Sequence, residues 1–396
     1  MLRSALPTSN AKVTTCPPTC RSRTCPSESG SPGNVTDRTT MMRHRRTVSS
    51  AKPVVVGTGL VALDVVIADN VRSDPILCAG GTCGNVLTAL AWLGWDAYPI
   101  ARLRSDAASK RIIEDLKSWD VKLDFVSLSS CGSTPVVVQH NHENGNGERS
   151  HKFSRRCPVC GNWLPWYKAV RAATVPELTQ RLPKANVFYF DRTSRGAVTL
   201  AQNARQDGAL VVFEPSAESE PHLLKAALAV AHVVKVASDR TAGNEDILDA
   251  TTPLLLIETL GASGLRYSRR RVGRKRSWKT LPAFSVTAFR DAAGAGDWCT
   301  AGIISKLGQL GPKGLEAASG AQVQAALRRG QAMAAWTCHY DGPRGGMYVE
   351  TRKTFDRAVD DIQSGKSRYD AKPTATRRRQ RSAGTGWCQC CVASTR

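Results

Sequence analysis

The chain has 396 residues, 41% of them hydrophobic, enough for one large or two ordinary domains around a sizeable core. Its formal charge of +22 points at first to a nucleic-acid partner, but most of the excess sits in three runs, Met1 to Lys52, Arg269 to Lys279 and Arg377 to Arg381. Such runs read as solvated tails and loops and the rest is nearly balanced, so nucleic acid is not the expected partner. No apolar stretch reaches the roughly 18 residues that mark a membrane-spanning helix, so no membrane role is expected.

The 13 cysteines do not form an extracellular pattern. Cys78, Cys83, Cys299 and Cys338 lie in or beside apolar stretches, where cysteine behaves as a small buried hydrophobe. The first residues contain no apolar segment of the signal-peptide kind, and reduced thiols in a cytoplasmic protein are the expectation.

Residues 1–52, rich in Ser, Thr, Pro and Arg without helical or strand period, read as a disordered basic tail. The folded part opens at Pro53 with a buried strand and the turn Gly57-Thr58-Gly59. Gly57, Gly59 and Ala62 imitate a dinucleotide fingerprint, but that fingerprint needs a helix next, and Leu60 to Ile67 is β-branched and strand-like. Asp64, inside that apolar run, is either surface-facing or a buried acceptor for substrate hydroxyls.

Cys78 to Asn85 is a second glycine-rich stretch, with Gly80, Gly81 and Gly84. It leads into a helical pattern over Val86 to Leu93, so Asn85 presents an amide where a ligand can approach the backbone closely. A helix is expected over Ser105 to Trp119, and Val136 to His140 is strand-like before a polar hairpin tip containing Asn144-Gly145. Strands then alternate with helices: strands at 187–190, 210–213, 233–236 and 254–258, helices at 195–206 and 221–231. That alternation implies a parallel sheet covered on both faces, with the ligand at the strands' C-terminal ends. Helices over 297–307 and 321–338 close the domain.

The stretch Asp291-Ala292-Ala293-Gly294-Ala295-Gly296-Asp297 precedes the apolar run Trp298 to Leu307. A glycine turn feeding a helix N-terminus binds anions, because unpaired N–H groups and the positive dipole end point the same way. A carboxylate at Asp297 is no anion ligand. It suits a base that takes a proton from a hydroxyl attacking a phosphate, or a helix cap.

The early Ala79-Gly80-Gly81 with Asn85, the turn Thr259-Leu260-Gly261-Ala262-Ser263-Gly264 and the late Asp291–Asp297 stretch together resemble the ribokinase-like (PfkB-type) carbohydrate kinases, over about Pro53 to Val349. The turn Gly342 to Met347 is similar to that family's closing turn near the nucleotide base. The resemblance implies an α/β fold, a central mostly parallel sheet flanked by helices with a small β-sheet lid from segments 65–77 and 135–153. It implies a kinase domain over 53–350; the residues at 369–396, basic, irregular and cysteine-containing, read by composition as a disordered tail. It implies ATP and Mg2+, with Asp64, Gly80, Gly81 and Asn85 on substrate hydroxyls. Gly294, Ala295 and Gly296 would cradle the migrating phosphate and Asp297 would be the base. Ser238, Thr259, Gly261, Gly264 and Asp291 would lie on the nucleotide side. Many relatives form homodimers through the lid, which makes a second copy a candidate partner.

Two departures stand out. Ala292 replaces the family's usual Thr, and Lys235-Val236-Ala237-Ser238-Asp239-Arg240 lacks the family's Asn-x-x-Glu. Either Ser238 and Asp239 substitute, or the phosphates and water hold the metal. An insertion over 154–167 carries Cys157-Pro158-Val159-Cys160, a knuckle of the zinc-binding type, with His140, His142, His151 and Cys131 as nearby candidates for further ligands. A remnant turn without metal is the other reading. The spacing recurs only at Cys388 to Cys391, which would have to fold back. Arg155 and Arg156 in the insertion suit an anionic substrate. The expected activity is ATP-dependent phosphoryl transfer to a hydroxyl of a sugar or sugar derivative; the alternatives are a nucleoside kinase on the same fold and a non-catalytic, nucleic-acid-binding pseudokinase.

Overall fold

The central strands are almost uninterrupted apolar runs, Val54-Val55-Val56, Val187-Phe188-Tyr189-Phe190 and Leu210-Val211-Val212-Phe213. Such runs suit strands covered on both faces. The computed structural model describes residues 51–67, 75–215, 219–240, 246–270, 273, 275–365, 387–388 and 390–391. Residues 1–50 of the basic tail read over 1–52 and most of 369–396 lie outside these residues, as does part of the first lid segment.

In chain order the strands are β1 (Val54–Thr58), β2 (Ala62–Ile67), β3 (Ile76–Gly80), β4 (Asp96–Leu103), β5 (Val126–Leu128), β6 (Val136–Glu143), β7 (Arg149–Ser154), β8 (Val187–Phe190), β9 (Leu210–Phe213), β10 (Val233–Ala237), β11 (Leu255–Thr259), β12 (Leu265–Arg269) and β13 (Trp278–Leu281). A nine-stranded sheet runs β13-β12-β11-β10-β9-β8-β1-β4-β5. It is parallel from β11 to β5; β12 and β13 add an antiparallel edge. A second sheet of four strands, β3-β2-β6-β7, overlaps the two segments read as the lid, 65–77 and 135–153, but begins at Ala62 and takes in β3 as far as Gly80.

Successive side chains of one strand enter two different cores, as period-two geometry requires. Leu210 and Val212 face the core shared with helices Thr82–Trp92, Ala295–Leu307 and Gly320–Thr337. Val211 and Phe213 face the one shared with Arg195–Gln206 and Pro221–Val230. Among the described residues no helix is long and apolar enough to cross a membrane.

The packed body continues past residue 350, where the sequence reading ends the domain. Helix Arg352–Ser364 buries Phe355, Val359 and Ile362 in the first core, and Trp387 and Cys388 join the same core from the chain's far end. The reading of 369–396 as a disordered tail therefore does not extend to these two residues: an indole and a thiol removed from water hold them in place.

Candidate active site

The late glycine stretch forms the tight turn its composition suggests. Gly294 has φ +75°, and a Cβ there would meet backbone and side-chain atoms of Pro343 at 2.6 Å. Only glycine serves both the left-handed geometry and the close approach. The helix begins at Ala295, two residues earlier than the apolar pattern indicates, so Asp297 lies in its first turn. The first N–H groups of a helix have no acceptor further up it, the feature that suits such a turn to an anion, although Ala295 N already donates to Ala292 O at 3.1 Å. Trp298 locks the turn from beneath: its Nε1 donates to Pro343 O at 2.9 Å, and its ring packs edge-on against Trp336.

The early motif meets the late one here. Asn85 Nδ2 donates to Asp297 Oδ2 at 2.8 Å across 212 residues of sequence. The other end of the amide, Asn85 Oδ1, is buried and accepts nothing. A buried acceptor left empty is costly unless a ligand supplies the donor, as a substrate hydroxyl would. The Asp297 carboxyl is pushed up to about 8, first by loss of solvation and then by the charge of Glu214, against the pull of Asn85, Lys235 and Arg240. Asp297 keeps partial exposure, so solvent still reaches it.

Asp64 resolves to the buried alternative. It is 8% exposed on β2, and its carboxylate lies where a Cβ on Gly80 would be, within about 2 Å. Its pKa is pushed up to about 7 by burial, with Arg344 and the Gly81 N–H pulling it back. The Gly57-x-Gly59 turn has a related cause: a Cβ on Gly59 would collide with Asp191 Oδ1, which accepts from Leu60 N at 3.0 Å. That turn admits a carboxylate from β8's end, and a strand follows it, so its resemblance to a dinucleotide fingerprint is superficial.

The floor of the cleft holds residues that sequence reasoning missed. Glu214 follows β9 and pairs with Lys235 of β10 at 2.5 Å; it also accepts from Thr300 Oγ1 at 2.7 Å and Tyr189 OH at 3.2 Å. Burial pulls the Lys235 ammonium down, but Glu214 outweighs it and the group is held above its ordinary value. Burial likewise raises Asp191, which is ion-paired with Arg192 at 2.7 Å. The available signal was a charged residue in or directly after an otherwise apolar strand, as in Phe213-Glu214 and Val234-Lys235-Val236.

Where the resemblance leads one to expect the nucleotide, Ala237 pairs in register with Thr259, so Ser238 and the Thr259–Gly264 turn leave neighbouring strand ends side by side. Ser238, Gly261, Ala262 and Ser263 are exposed there. Asp291 faces the opposite way from solvent. Its oxygens accept from Ala293 N, Gly342 N and Gln139 Nε2 and meet His151 Nδ1 at 2.9 Å, tying the loop to the closing turn and to β6 and β7 of the small sheet. Those bonds hold its pKa below the ordinary 3.8 although burial pushes the other way.

The insertion places Arg155 over Trp166 at 4.6 Å and Arg156 over Trp163 at 4.3 Å, so both guanidinium planes rest on indole faces. A few residues on, Tyr167 OH is buried without a partner, close enough to Asp191 for that charge to help raise its pKa. The candidate zinc knuckle at Cys157 and Cys160 lies beside Cys388 and Cys391, not beside the histidines. A separate cavity of about 350 Å3 at Val56, Thr179, Phe188 and Asn203 shares no residue with the cleft.

A glycine turn opening a helix, with buried carboxylates at the C-terminal edge of a mostly parallel sheet and a second small sheet, marks a ribokinase-like α/β fold. The chain belongs to the pfkB family of carbohydrate kinases, whose family model matches residues 73–349. No curated protein matches it significantly. Similar solved structures include an ATP-bound fructokinase from Xylella fastidiosa (20% identity, TM-score 0.59, 78% of this chain and 98% of that one). Another is the aminoimidazole riboside kinase from Salmonella enterica bound to the riboside and an ATP analogue (18%, 0.57, 77% and 99%). A third is the nucleoside kinase from Burkholderia thailandensis in complex with inosine (15%, 0.57, 81% and 100%). At these identities the likeness establishes the ribokinase-like fold.

Proposed function

We propose that this protein transfers the γ-phosphoryl group of ATP to a hydroxyl of a sugar or sugar derivative, with Asp297 as the base. The observation that carries the reading is the Asn85–Asp297 hydrogen bond, because it joins the hydroxyl-binding motif to the anion turn at a single point. The acceptor hydroxyl sits between Asn85 Oδ1 and Asp64 on one side and Asp297 on the other. A carboxyl with a pKa near 8 is matched to proton removal close to neutral pH. As the proton passes to Asp297, the hydroxyl oxygen bonds to the γ-phosphorus. The bond from that phosphorus to the β,γ-bridging oxygen breaks and ADP leaves, while the backbone of the turn Gly294, Ala295 and Gly296 holds the phosphoryl oxygens. Phosphoryl transfer depends mainly on this positioning and charge stabilisation. Ser238, Thr259, Gly261 and Gly264 border the nucleotide, and Asp291 keeps the loop in shape for it.

The donor set fits a magnesium ion carried on the nucleotide. Among the described residues no three carboxylates bring their oxygens close enough together to share one ion, and Glu214 is already paired with Lys235. Mg2+ commonly keeps phosphate oxygens and several waters, so Ser238 and Asp239 at the end of β10 would hold it through its water shell. There it would neutralise phosphate charge.

A labelled-phosphate transfer screen with the full chain tests the proposal, using a panel of sugars, sugar phosphates and nucleosides. Transfer to a sugar, lost in Asp297→Asn, supports it. Transfer only to nucleosides would replace the acceptor class, and no transfer with salt-sensitive RNA or DNA binding would favour a non-catalytic role. If Arg155 and Arg156 recognise an anionic acceptor, replacing both raises its KM; an unchanged KM assigns them to indole stacking alone.

A further inference from the structure

Two Cys-x-x-Cys pairs from opposite parts of the chain converge at the base of the small sheet. The Sγ atoms of Cys157, Cys160, Cys388 and Cys391 all lie within 4.8 Å of one another. Two cross-pairs, Cys157–Cys391 and Cys160–Cys388, stand at 3.8 Å. A disulfide needs sulfurs about 2.05 Å apart. A regular tetrahedron of thiolates around zinc, with Zn–S about 2.3 Å, has edges of about 3.8 Å.

We propose that these four cysteines form a closed tetrathiolate zinc site that fastens the C-terminal end of the chain to the segment following β7. This inference is independent of the kinase reading.

The backbone around the first pair is shaped for sulfur ligands. The N–H groups of Val159 and Cys160 point at Cys157 Sγ, and that of Asn162 points at Cys160 Sγ. N–H donors stabilise thiolates and fix their direction toward a metal. The turn closes through Cys157 N to Asn162 O and Gly161 N to Cys157 O, both 2.9 Å, and Gly161 supplies the positive φ, +71°. An isolated bridge between Arg156 and Trp163 seals the loop. Thiols are weak hydrogen-bonding groups, so four packed together offer one another little unless deprotonated around a cation. Zn2+ with four thiolates carries a net charge of −2, and the adjacent Arg155 and Arg156 suit that charge.

The second pair is anchored independently of any ion. Trp387 and Cys388 are 6% and 3% exposed and belong to the main core, as do Cys157 and Leu164 of the knuckle. With all four positions taken by protein, no site remains for water or substrate, which marks a structural rather than a catalytic metal. Its effect on the cleft runs along the chain: the stapled segment leads directly to Tyr167, whose buried hydroxyl lies near Asp191.

The test is metal analysis of the full-length protein, purified without chelator or metal-affinity resin. One equivalent of zinc per chain is expected, released by a mercurial thiol reagent in step with four thiols. Cobalt exchanged into the site should give the ligand-field and thiolate charge-transfer bands of tetrahedral sulfur coordination. Cys391→Ser should lose the metal and unfold at a lower temperature, whereas Cys390→Ser and Cys131→Ser, outside the cluster, should retain both. Less than about a tenth of an equivalent of zinc, with no tetrahedral cobalt spectrum, overturns the proposal. So does iron in zinc's place. Because the decisive readouts use the native chain, a variant that fails to fold leaves the result intact.

Discussion

The two ends of the loop from Asp291 to Asp297 carry the same side chain six residues apart and treat it in opposite ways. Asp291 has all of its acceptor positions filled and its pKa held down; Asp297 has one amide partner, an acidic neighbour in Glu214 and a pKa pushed up to about 8. The difference shows how one loop gives the same side chain two environments, one that holds the loop's shape and one suited to the proton transfer proposed for Asp297. A carboxylate saturated with N–H donors has no lone pair left for substrate, and one starved of them is poised to accept a proton.

The sharpest way to break this comparison is at Asp297. Asp297→Asn is expected to lower kcat by about 10²–10⁴-fold with the fold retained. Retained turnover would mean that the base is elsewhere. Asp291→Asn should act on the loop instead, because an amide presents hydrogens to N–H groups that need an acceptor. We expect a stability loss of about 1–3 kcal/mol, read as a lower denaturant midpoint, with a kinetic loss smaller than at Asp297.

Titration sharpens the contrast by its sign. In wild-type enzyme kcat/KM should rise with pH and level off above about 8, where free Asp297 is ionised. For stability, a carboxyl raised above its ordinary 3.8 favours the fold at low pH, and that contribution is lost as pH rises through about 8. Asp297→Asn should therefore gain in melting temperature over wild type between about pH 5 and about pH 9. Asp291, held below 3.8, stabilises above that value, and its contribution is lost as pH falls through its lower folded pKa. The deficit of Asp291→Asn should accordingly shrink in acid, and parallel trends for the two variants would refute the division of roles. The smallest effect is expected at His151, whose partly open ring supplies one of several bonds to Asp291: His151→Ala should cost less than about 1 kcal/mol and leave kcat nearly unchanged.

Much of the sheet was legible because its strands declare themselves locally. Val187 to Phe190 and Leu210 to Phe213 fall where their apolar runs lie. β4 was missed because Pro99 interrupts it, and proline usually argues against a strand interior. β12 was missed although Leu265 and Tyr267 alternate with Arg266 and Ser268, since the basic run that follows suggested a loop. Helix Arg352–Ser364 shows an apolar stripe at Phe355, Ala358, Val359 and Ile362, which the resemblance to a family ending near residue 349 led the reading to pass over.

The amino-acid order by itself determined the alternation of strands and helices, the glycine turn that must precede a helix and the residue types available for phosphate chemistry. These follow from sterics and hydrogen bonding among neighbours a few positions apart. Only the tertiary structure decided which aspartate was saturated and which was left hungry, which lysine lay beside the glycine turn, and where the second pair of cysteines went. Desolvation and partner choice are properties of the assembled sheet, set between residues more than 200 positions apart for Asn85 with Asp297 and for Cys157 with Cys391.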